Sequence, residues 1–219
     1  MITATLLKHM GDDLDVANAA RVSFGKSSAW KQDNKNDATY LSDRDVKLIR
    51  YLAKHKHISP FGHCFASFHV KAPIFVARQL VKHKFLRWNE ISRRYVDDEP
   101  EFYKPDAWRG RSADKKQGST GVVYPKQDDV DFANHTAMRT YKLLLEAGAA
   151  PEQARMVLPQ STMTEWWWSG SLDAFSDMCV LRCKPDTQLE TRLVADKISD
   201  KMGELFPVAW TALMGLLTP

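Results

Sequence analysis

The segment from Gln160 to Trp168 constrains the fold of this chain more than any other stretch. Its residues alternate with the period of a β-strand, and Trp166, Trp167 and Trp168 place aromatic side chains on both faces of that strand. A strand with large apolar groups on both faces is either buried on both sides or lies at a subunit interface. We therefore expect both faces of this strand to be covered.

Strand and helix signals alternate along the rest of the chain. Residues 2–7 and Cys64–Val70 have the composition of strands, and apolar residues recur elsewhere with helical spacing. Polar residues and prolines mark where the helices begin. The predicted helices begin at Asp12 or Asp13, at Ser42 (running to about His55, with Pro60 ending any continuation), at Pro73, at Asp128 (to Ala147), at Pro151, at Ser171 and at Asp186 (to Phe206).

Two polar segments are predicted to be loops. Gly25–Tyr40 is rich in Lys, Asn, Asp and Ser, and residues 97–127 contain three prolines and several glycines. The helix that follows has an apolar stripe and is predicted to be an ordinary core helix. The stripe consists of Val130, Ala133, Ala137, Tyr141 and Leu144.

Composition limits the class of protein. A length of 219 residues with 44% hydrophobic residues fits a single domain spanning 1–219, and a net charge of +4 is too modest to predict a nucleic-acid partner. No apolar run predicts a membrane span, and the N-terminal residues lack the order of a signal peptide. The chain has three cysteines, Cys64, Cys179 and Cys183, which cannot all pair with one another, so we expect them to be reduced thiols. We therefore expect a cytoplasmic location, or the host cytoplasm if the source is a virus.

The segment Gln79–Tyr95 concentrates groups that suit a polyanion. Two lysines flank His83, two arginines follow Ser92, and Asn89 and Glu90 add donors and acceptors of defined geometry. This mixture favours a shaped phosphate and base site, although an ordinary basic surface loop would have a similar charge. On the helix predicted from Pro73, Gln79 and His83 would lie one turn apart on one face.

Four histidines, His55, His57, His63 and His69, raise the hypothesis of a metal site. No carboxylate or cysteine near them completes a recognised ligand spacing. We therefore predict no metal.

The spacing in the basic segment resembles a signature of the flavin-dependent thymidylate synthases. Lys82-His83-Lys84, seven residues and Ser92 are similar to Arg-His-Arg, seven residues and Ser in that family, with lysine in place of both arginines. The likeness covers most of the chain from Gly11 to about Lys197. The other segments that carry it are His57–His63, Phe68–Gln79, Asn89–Tyr95, Ala154–Pro159, Ser171–Arg182 and Asp186–Glu190.

This resemblance implies an α+β subunit with a central antiparallel sheet flanked by helices, assembled into a homotetramer with active sites where subunits meet. It implies a methyltransferase that converts dUMP into dTMP, with FAD as cofactor and with NADPH and methylenetetrahydrofolate as co-substrates. In such enzymes no cysteine or serine attacks the uracil ring. Ser92 is therefore expected to hydrogen-bond the nucleotide rather than act as a nucleophile.

The resemblance also implies which residues form the site, and it makes Arg182 catalytic. As a permanent cation, Arg182 would stabilise negative charge on the pyrimidine while C5 becomes nucleophilic. The implied dUMP contacts are Gln79, Lys82, Glu90, Ser92, Arg93, Arg94, Arg155 and Arg182. The implied FAD contacts are Ser23, His57, Ser59, Lys82, His83, Lys84, Phe85, Asn89, Glu90, Ser171, Asp173 and Asp177.

Several positions differ from the family pattern, mostly on the flavin side. Gly62 replaces a glutamate, Ser171 and Asp177 replace asparagines, Asp173 replaces an arginine and Arg93 replaces a glycine. Two alternative functions therefore remain open. One is a flavin-dependent dUMP hydroxymethylase on the same fold, and the other is a non-catalytic nucleotide- or single-strand-binding protein in which the basic residues track phosphates and the tryptophans stack on bases.

Overall fold

A computed structural model describes residues 1–33, 37–113 and 118–215 of the chain. Its strands are β1 (Thr3–Met10), β2 (Lys31–Gln32), β3 (Thr39–Tyr40), β4 (Phe65–Pro73), β5 (Arg87–Glu90), β6 (Trp108–Arg111), β7 (Ser119–Val123) and β8 (Met163–Ser171). Four of them form a central antiparallel sheet in the order β1-β4-β8-β5. The other four form two small hairpins, β2 with β3 and β6 with β7.

Helices surround this sheet, which confirms the α+β class. They are α1 (Asp13–Arg21), α2 (Asp43–Lys54), α3 (Ile74–Leu80), α4 (Gln127–Glu146), α5 (Pro151–Ala154), α6 (Leu172–Arg182), α7 (Leu189–Leu205) and α8 (Pro207–Leu213). Short 3-10 turns at Val22–Phe24, Ser59–His63 and Arg155–Val157 connect some of them.

The three consecutive tryptophans lie on β8, in the middle of the sheet. Trp166 and Trp168 are each 1% exposed and face the core, where Trp88 stacks on Trp166 with 4.3 Å between ring centroids. Trp167 points to the opposite face and is 52% exposed. The prediction that β8 is covered is therefore confirmed on one face, while the other face is open in the single chain.

Two of the predicted helix starts are confirmed by their caps. The Asp12 carboxylate accepts from the backbone N–H groups of Leu14 and Asp15, and the Asp15 carboxylate accepts from the backbone N–H of Asp12. This reciprocal pair is a capping box. The Ser42 hydroxyl caps α2 by accepting from the backbone N–H of Asp45.

Helix α2 ends at Lys54 with His55 as its C-cap, as predicted, and Pro60 lies beyond it within the Ser59–His63 turn. Two details of the other helix starts differ from prediction. Ser171 has the N-cap position of α6, but its side chain makes no capping bond. Asp186 does not cap α7, because residues 184–187 form a turn and the helix begins after Gln188.

Both predicted loops contain short hairpins. Strands β2 and β3 pair within Gly25–Tyr40, whose residues 34–36 lie outside the described part. Strands β6 and β7 pair within 97–127, of which 114–117 lie outside it. The prolines in this segment led to the prediction of a loop, but they lie outside β6 and β7 and do not interrupt the strand pairing. Between them, β-branched residues such as Val122 and Val123 favour a strand.

Helix α4 is not an ordinary core helix. Of its residues, Tyr141 is the one that is buried, and residues such as Phe132 and Leu143 are exposed in the single chain. The helix contacts mainly α5 and the turn that follows α5. Within the predicted stripe, Tyr141 is buried, Val130, Ala137 and Leu144 are half-buried and Ala133 is exposed, so the described part of the chain covers the stripe only in part.

Three further observations concern ligands and location. Cys64, Cys179 and Cys183 are free, as expected. Within the described ranges, no three His, Cys, Asp or Glu residues are placed to hold a metal ion. None of the helices described in the structure has the length and apolarity needed to cross a membrane.

Candidate active site

Two predicted site residues meet at the end of α6, although they are 99 positions apart in the chain. The Nε of Arg182 donates to the Nε2 of His83 at 3.0 Å, and its Nη2 donates to the backbone oxygen of Gln79 at 3.4 Å. Because α3 ends at Leu80, His83 lies in the turn after it, so the prediction that Gln79 and His83 share a helical face is wrong. Arg182 connects them instead.

This pairing requires a neutral imidazole, because Nε2 must accept a hydrogen bond from a cation. Burial, and then the charge of Arg182, lower the pKa of His83 to about 4. Burial also lowers the pKa of Arg182, but a guanidinium keeps its proton at neutral pH. The site therefore holds one permanent cation, which a neutral ring orients.

The side-chain amide of Gln79 is held at both ends. Its Nε2 donates to the Oε1 of Gln188 at 2.6 Å, and its Oε1 accepts from the hydroxyl of Thr191 at 3.1 Å. One amide hydrogen and one lone pair of the oxygen are left for a ligand. Gln79 is thus oriented before any ligand binds.

A polar cavity of about 360 Å³ lies beside this cluster. Its size falls within the usual range for small-molecule sites. The cations that reach it are Arg182 and Lys184, and the Gln79 amide forms part of its wall. The residues that line it are Gln79, Gly118, Leu181, Arg182, Lys184, Asp186, Thr187 and Gln188.

A second group of predicted nucleotide contacts lies around a smaller cavity of about 120 Å³. Glu90, Arg93 and Arg155 line it. The two carboxylate oxygens of Glu90 accept from the Thr164 hydroxyl at 2.7 Å and from the Trp88 Nε1 at 3.0 Å. The Arg155 Nε donates to the backbone oxygen of Glu152, and the side chain is otherwise exposed.

Ser92 and Arg94 lie on the surface near this second group. The Arg94 Nε donates to the Ser92 hydroxyl at 3.2 Å, and its guanidinium lies 4.9 Å from the centre of the Tyr95 ring. Within the described residues, no hydrogen bond or ion pair joins Arg94 or Arg155 to Arg182. One chain therefore holds the predicted nucleotide contacts as two separate groups.

Asp173 and Asp177 form an acidic pair on α6. The Oδ1 of Asp173 is buried and has no hydrogen-bond partner in the described part of the chain. Burial, and then the Asp173 charge, raise the pKa of Asp177. Gly62 leaves space here, since a Cβ at that position would lie 4.0 Å from the Asp173 Oδ1. The two carboxylates are thus available to accept from ligand hydroxyl or amino groups.

The remaining predicted flavin contacts are exposed. Phe85 is 79% exposed and has a φ of 64°, an uncommon value for a bulky residue and one often associated with functional sites. Among the described residues, several exposed polar side chains have no hydrogen-bond or ion-pair partner; they are Ser23, His57, Ser59, Lys82, Lys84 and Asn89. Free cationic donors together with the acidic pair fit a ligand that has both a diphosphate and donor groups, as FAD has.

Sequence reasoning missed a hydrogen-bonded network behind Gln79. Glu190 is 3% exposed, and the Arg109 Nη2 contacts both of its oxygens, at 2.6 and 2.8 Å. The Gln188 Nε2 also donates to Glu190, at 3.1 Å. Glu190 ends a motif that carries the family resemblance, but nothing in the sequence pointed to Arg109, which lies 81 residues away in the β6–β7 hairpin.

Comparison with known proteins places the chain among enzymes of one kind. A family model described as thymidylate synthase complementing protein matches residues 5–208, a range that includes all the predicted site residues. A flavin-dependent thymidylate synthase of Thermus thermophilus is 39% identical over 209 residues, which cover 94% of this chain and 73% of the relative. One of Thermosipho melanesiensis is 36% identical over 211 residues, which cover 94% and 86%.

A solved structure gives a similar result. The UMP/dUMP methylase PolB from Streptomyces cacaoi, bound with 5-Br dUMP, matches with a TM-score of 0.82 and 32% sequence identity. The match covers 98% of this chain and 95% of that one. The similarity therefore includes the sheet, the helices that hold Gln79 and Arg182, and the turn that holds His83.

Proposed function

The chain belongs to the flavin-dependent thymidylate synthase family, and from that premise we propose that it methylates dUMP reductively to dTMP. Methylenetetrahydrofolate would donate the carbon, NADPH would be the reductant and FAD would be the bound flavin. The observation that carries this proposal is the Arg182 cluster, where a half-buried permanent cation held by His83 borders a cavity of about 360 Å³.

Arg182 suits a pyrimidine that must carry negative charge. A guanidinium can donate a hydrogen bond to a carbonyl oxygen of the uracil ring, where negative charge collects, and it stays charged while that ring becomes nucleophilic at C5. Because His83 and the Gln79 carbonyl already orient this guanidinium, little reorganisation is needed when the charge develops. Gln79 would contact the same base.

Among the described residues, Cys64, Cys179 and Ser92 show no activation as nucleophiles. Burial is the main cause that raises the pKa of Cys64, to about 12, and burial also raises the pKa of Cys179. The Ser92 hydroxyl accepts from Arg94, and neither an imidazole nor a carboxylate bonds it. Both observations support a reaction in which no side chain attacks the uracil ring.

The phosphate of dUMP would bind the second group of residues. Arg94 and Arg155 offer exposed guanidinium groups that match phosphate oxygens, and Lys82 adds charge. Glu90, Ser92 and Arg93 border the same region. Because one chain keeps this group apart from Arg182, we propose that a neighbouring subunit supplies it and that the working protein is a homotetramer.

FAD would bind the exposed donors and the acidic pair. When bound, FAD supplies the hydride chemistry that no side chain of this protein provides. Lys82, His83 and Lys84 would hold anionic groups, and Asp173 and Asp177 would accept from hydroxyl or amino groups. The other residues proposed to contact it are Ser23, His57, Ser59, Phe85, Asn89, Glu90 and Ser171.

The test is a reaction with analysis of the product. The purified protein should show flavin absorbance and, incubated with dUMP, methylenetetrahydrofolate and NADPH, should yield a nucleotide whose mass equals that of dTMP. A 5-hydroxymethylated product would favour the alternative on the same fold. A colourless protein that leaves dUMP unchanged but binds single-stranded DNA would contradict the proposal.

A further inference from the structure

We propose that Glu190 is a positioning residue that sets the orientation of the Gln79 amide, so that the site accepts uracil and rejects cytosine. The inference rests on the proposed function, because it requires Gln79 to contact the pyrimidine of the substrate. It adds a residue that touches no substrate and yet determines which base is bound.

The structural basis is a chain of hydrogen bonds that runs from the β6–β7 hairpin to the nucleotide cavity. Arg109 binds both oxygens of Glu190, and Gln188 donates to Glu190 at 3.1 Å. Gln79 then donates to the Oε1 of Gln188 at 2.6 Å. Gln79 and Gln188 both line the cavity, whereas Glu190 is 3% exposed and does not line it.

The direction of these bonds follows from the charge on Glu190. Burial is the largest influence on this carboxyl and acts to raise its pKa, but the hydrogen bonds from Arg109, from its own backbone N–H and from Gln188, together with the charge of Arg109, leave the pKa lowered. An ionised carboxylate can only accept hydrogen bonds. Gln188 must therefore turn its NH2 group towards Glu190 and its oxygen towards Gln79, which in turn must offer its own NH2 group to Gln188.

The hydrogen bond at the other end of this series, between Thr191 and Gln79, does not fix the orientation of the Gln79 amide. Thr191 donates to the Gln79 oxygen at 3.1 Å, but a hydroxyl can accept as readily as it donates. Reversal of the Gln79 amide would thus meet no opposition from Thr191. Within this chain of bonds, the direction is set at the Glu190 end.

Amide orientation matters because uracil and cytosine present opposite patterns. Uracil has an N3–H donor beside carbonyl acceptors, whereas cytosine has an N3 acceptor beside an amino donor. Gln79 offers one free N–H and one free lone pair in a fixed order. Turning the amide over exchanges them, so an amide that matches one base opposes the other.

The variant Glu190→Gln should reverse the direction of the hydrogen bonds from residue 190 through Gln188 to Gln79, because glutamine is nearly the same size as glutamate but carries an NH2 group. Arg109 can only donate, so its Nη2, which bonds both carboxylate oxygens of Glu190, would move to the new amide oxygen and leave the new NH2 group to face Gln188. Gln188 would then turn over to accept, and Gln79 would turn over to accept from Gln188. The substitution should shift binding from dUMP towards dCMP.

Isothermal titration of dUMP and of dCMP into the purified, flavin-loaded protein tests this. A well-made pair of bonds to a base edge discriminates about 5- to 150-fold in Kd, so Glu190→Gln should change the ratio of the two Kd values by at least about fivefold towards dCMP. The matched control is Glu204→Gln, a paired but exposed glutamate on the same helix, which should leave the ratio unchanged. An unchanged ratio in Glu190→Gln overturns the inference.

A second variant keeps the test decisive if Glu190→Gln does not fold. Gln188→Met removes the side chain that links Glu190 to Gln79 by hydrogen bonds, while Arg109 still neutralises Glu190. This variant should also bring the Kd values for dUMP and dCMP closer together. If both single variants fold, the double variant should have the same ratio of dUMP to dCMP Kd values as Gln188→Met alone, because Gln188→Met has already removed the link between residue 190 and Gln79. A dUMP preference that survives Gln188→Met overturns the inference while the proposed function stands. A wild-type protein that binds no dUMP contradicts the proposed function itself.

Discussion

At the residue scale, the site depends on a cation whose orientation a neutral histidine sets. Arg182 donates to the Nε2 of His83, and burial keeps that ring unprotonated at neutral pH. A protonated His83 could not accept this bond and would repel the guanidinium. The two residues therefore act together, and each can be tested separately.

The variant Arg182→Lys should keep the fold and the bound flavin but lower dTMP formation by on the order of tenfold to a thousandfold. Lysine keeps the charge but lacks the planar fork of donors that bonds His83, the Gln79 carbonyl and a uracil oxygen together, and losing one contact of this type has about that effect. Steady-state assays with mass detection of dTMP measure it.

Oxidation of NADPH by the bound flavin serves as the internal control for this variant. That half-reaction needs no activated pyrimidine, so it should be much less affected. Near-normal dTMP formation by the Arg182→Lys protein would remove Arg182 from the catalytic residues.

Stability should depend on pH through His83. The pKa of His83 is lowered from 6.5 to about 4 in the folded protein, so below pH 6.5 the unfolded chain binds a proton that the folded chain refuses. This contribution to the free energy of unfolding is complete above about pH 6.5 and is lost as the pH falls towards 4. Denaturant titrations at pH 7.5 and 5, in one flavin state, measure the decrease.

The variant His83→Asn isolates this contribution from that of the carboxylates. The asparagine side chain has no proton to gain in this pH range, so the free energy of unfolding should decrease less between pH 7.5 and 5 than in the wild type. Equal decreases in the two proteins would show that His83 has an ordinary pKa.

At the element scale, β8 links the core and the site. Its inner face carries Trp166 and Trp168, which pack with Trp88 and Phe175, and its last residue leads directly into α6. Arg182 is the last residue of α6, so the position of its guanidinium depends on how β8 is anchored. A rigid β8 is therefore needed to hold Arg182 in place in the active site.

The variant Trp168→Ala should lower the free energy of unfolding by about 3–5 kcal/mol. Trp168 is 1% exposed, so truncation loses buried aromatic area and leaves a cavity among rings that cannot fully close it. Urea titration measures the change. Tyr124→Ala is the control, because Tyr124 is 92% exposed and its loss should change stability by less than about 0.5 kcal/mol. A similar loss in both variants would contradict this account of the core.

At the scale of the whole molecule, the two ends of the chain close on each other. The Asp13 carboxylate near the N-terminus accepts from the backbone N–H groups of Val208 and Ala209, both at 2.8 Å. These N–H groups belong to the first turn of α8, which has no earlier carbonyl to bind. This contact supports our proposal that 1–219 is one domain, since early and late residues complete each other's hydrogen bonds.

In the described part of the chain, one face of the sheet is incompletely covered. Trp167 is exposed there, flanked by the contact of the His69 Nε2 with the Glu165 carboxylate at 2.7 Å and by the Ser67–Ser169 hydrogen bond. Helix α4 also leaves apolar residues uncovered. Large uncovered apolar groups commonly mark interfaces, which supports the proposed homotetramer.

Light scattering of the wild type should give a mass near four times the 25.0 kDa of one chain. Trp167→Glu should give smaller species and should lose flavin, because a buried charge opposes assembly and the proposed sites need more than one subunit. Trp167→Phe is the control and should assemble normally. A stable monomer that retains its flavin would contradict the proposed assembly.

The sequence by itself determined what depends on near neighbours. Asp12 and Ser42 cap helices through bonds to residues two or three positions away, and the period-two pattern of Gln160–Trp168 needs only local backbone geometry. The spacing of Lys82 to Ser92, together with the matching segments on both sides of it, indicated the family and the classes of ligand. These features could be predicted because each is encoded within a few consecutive residues.

Only the tertiary structure decided which distant groups meet. Arg182 binds His83 across 99 residues, and Arg109 binds Glu190 across 81, through elements whose packing no local pattern specifies. The open face of β8 was equally undecided, since three adjacent tryptophans look alike in sequence and differ only in what covers them. Contacts of this kind depend on how separate elements pack against one another. The orientation of the Gln79 amide depends on such contacts, so only the tertiary structure could show it.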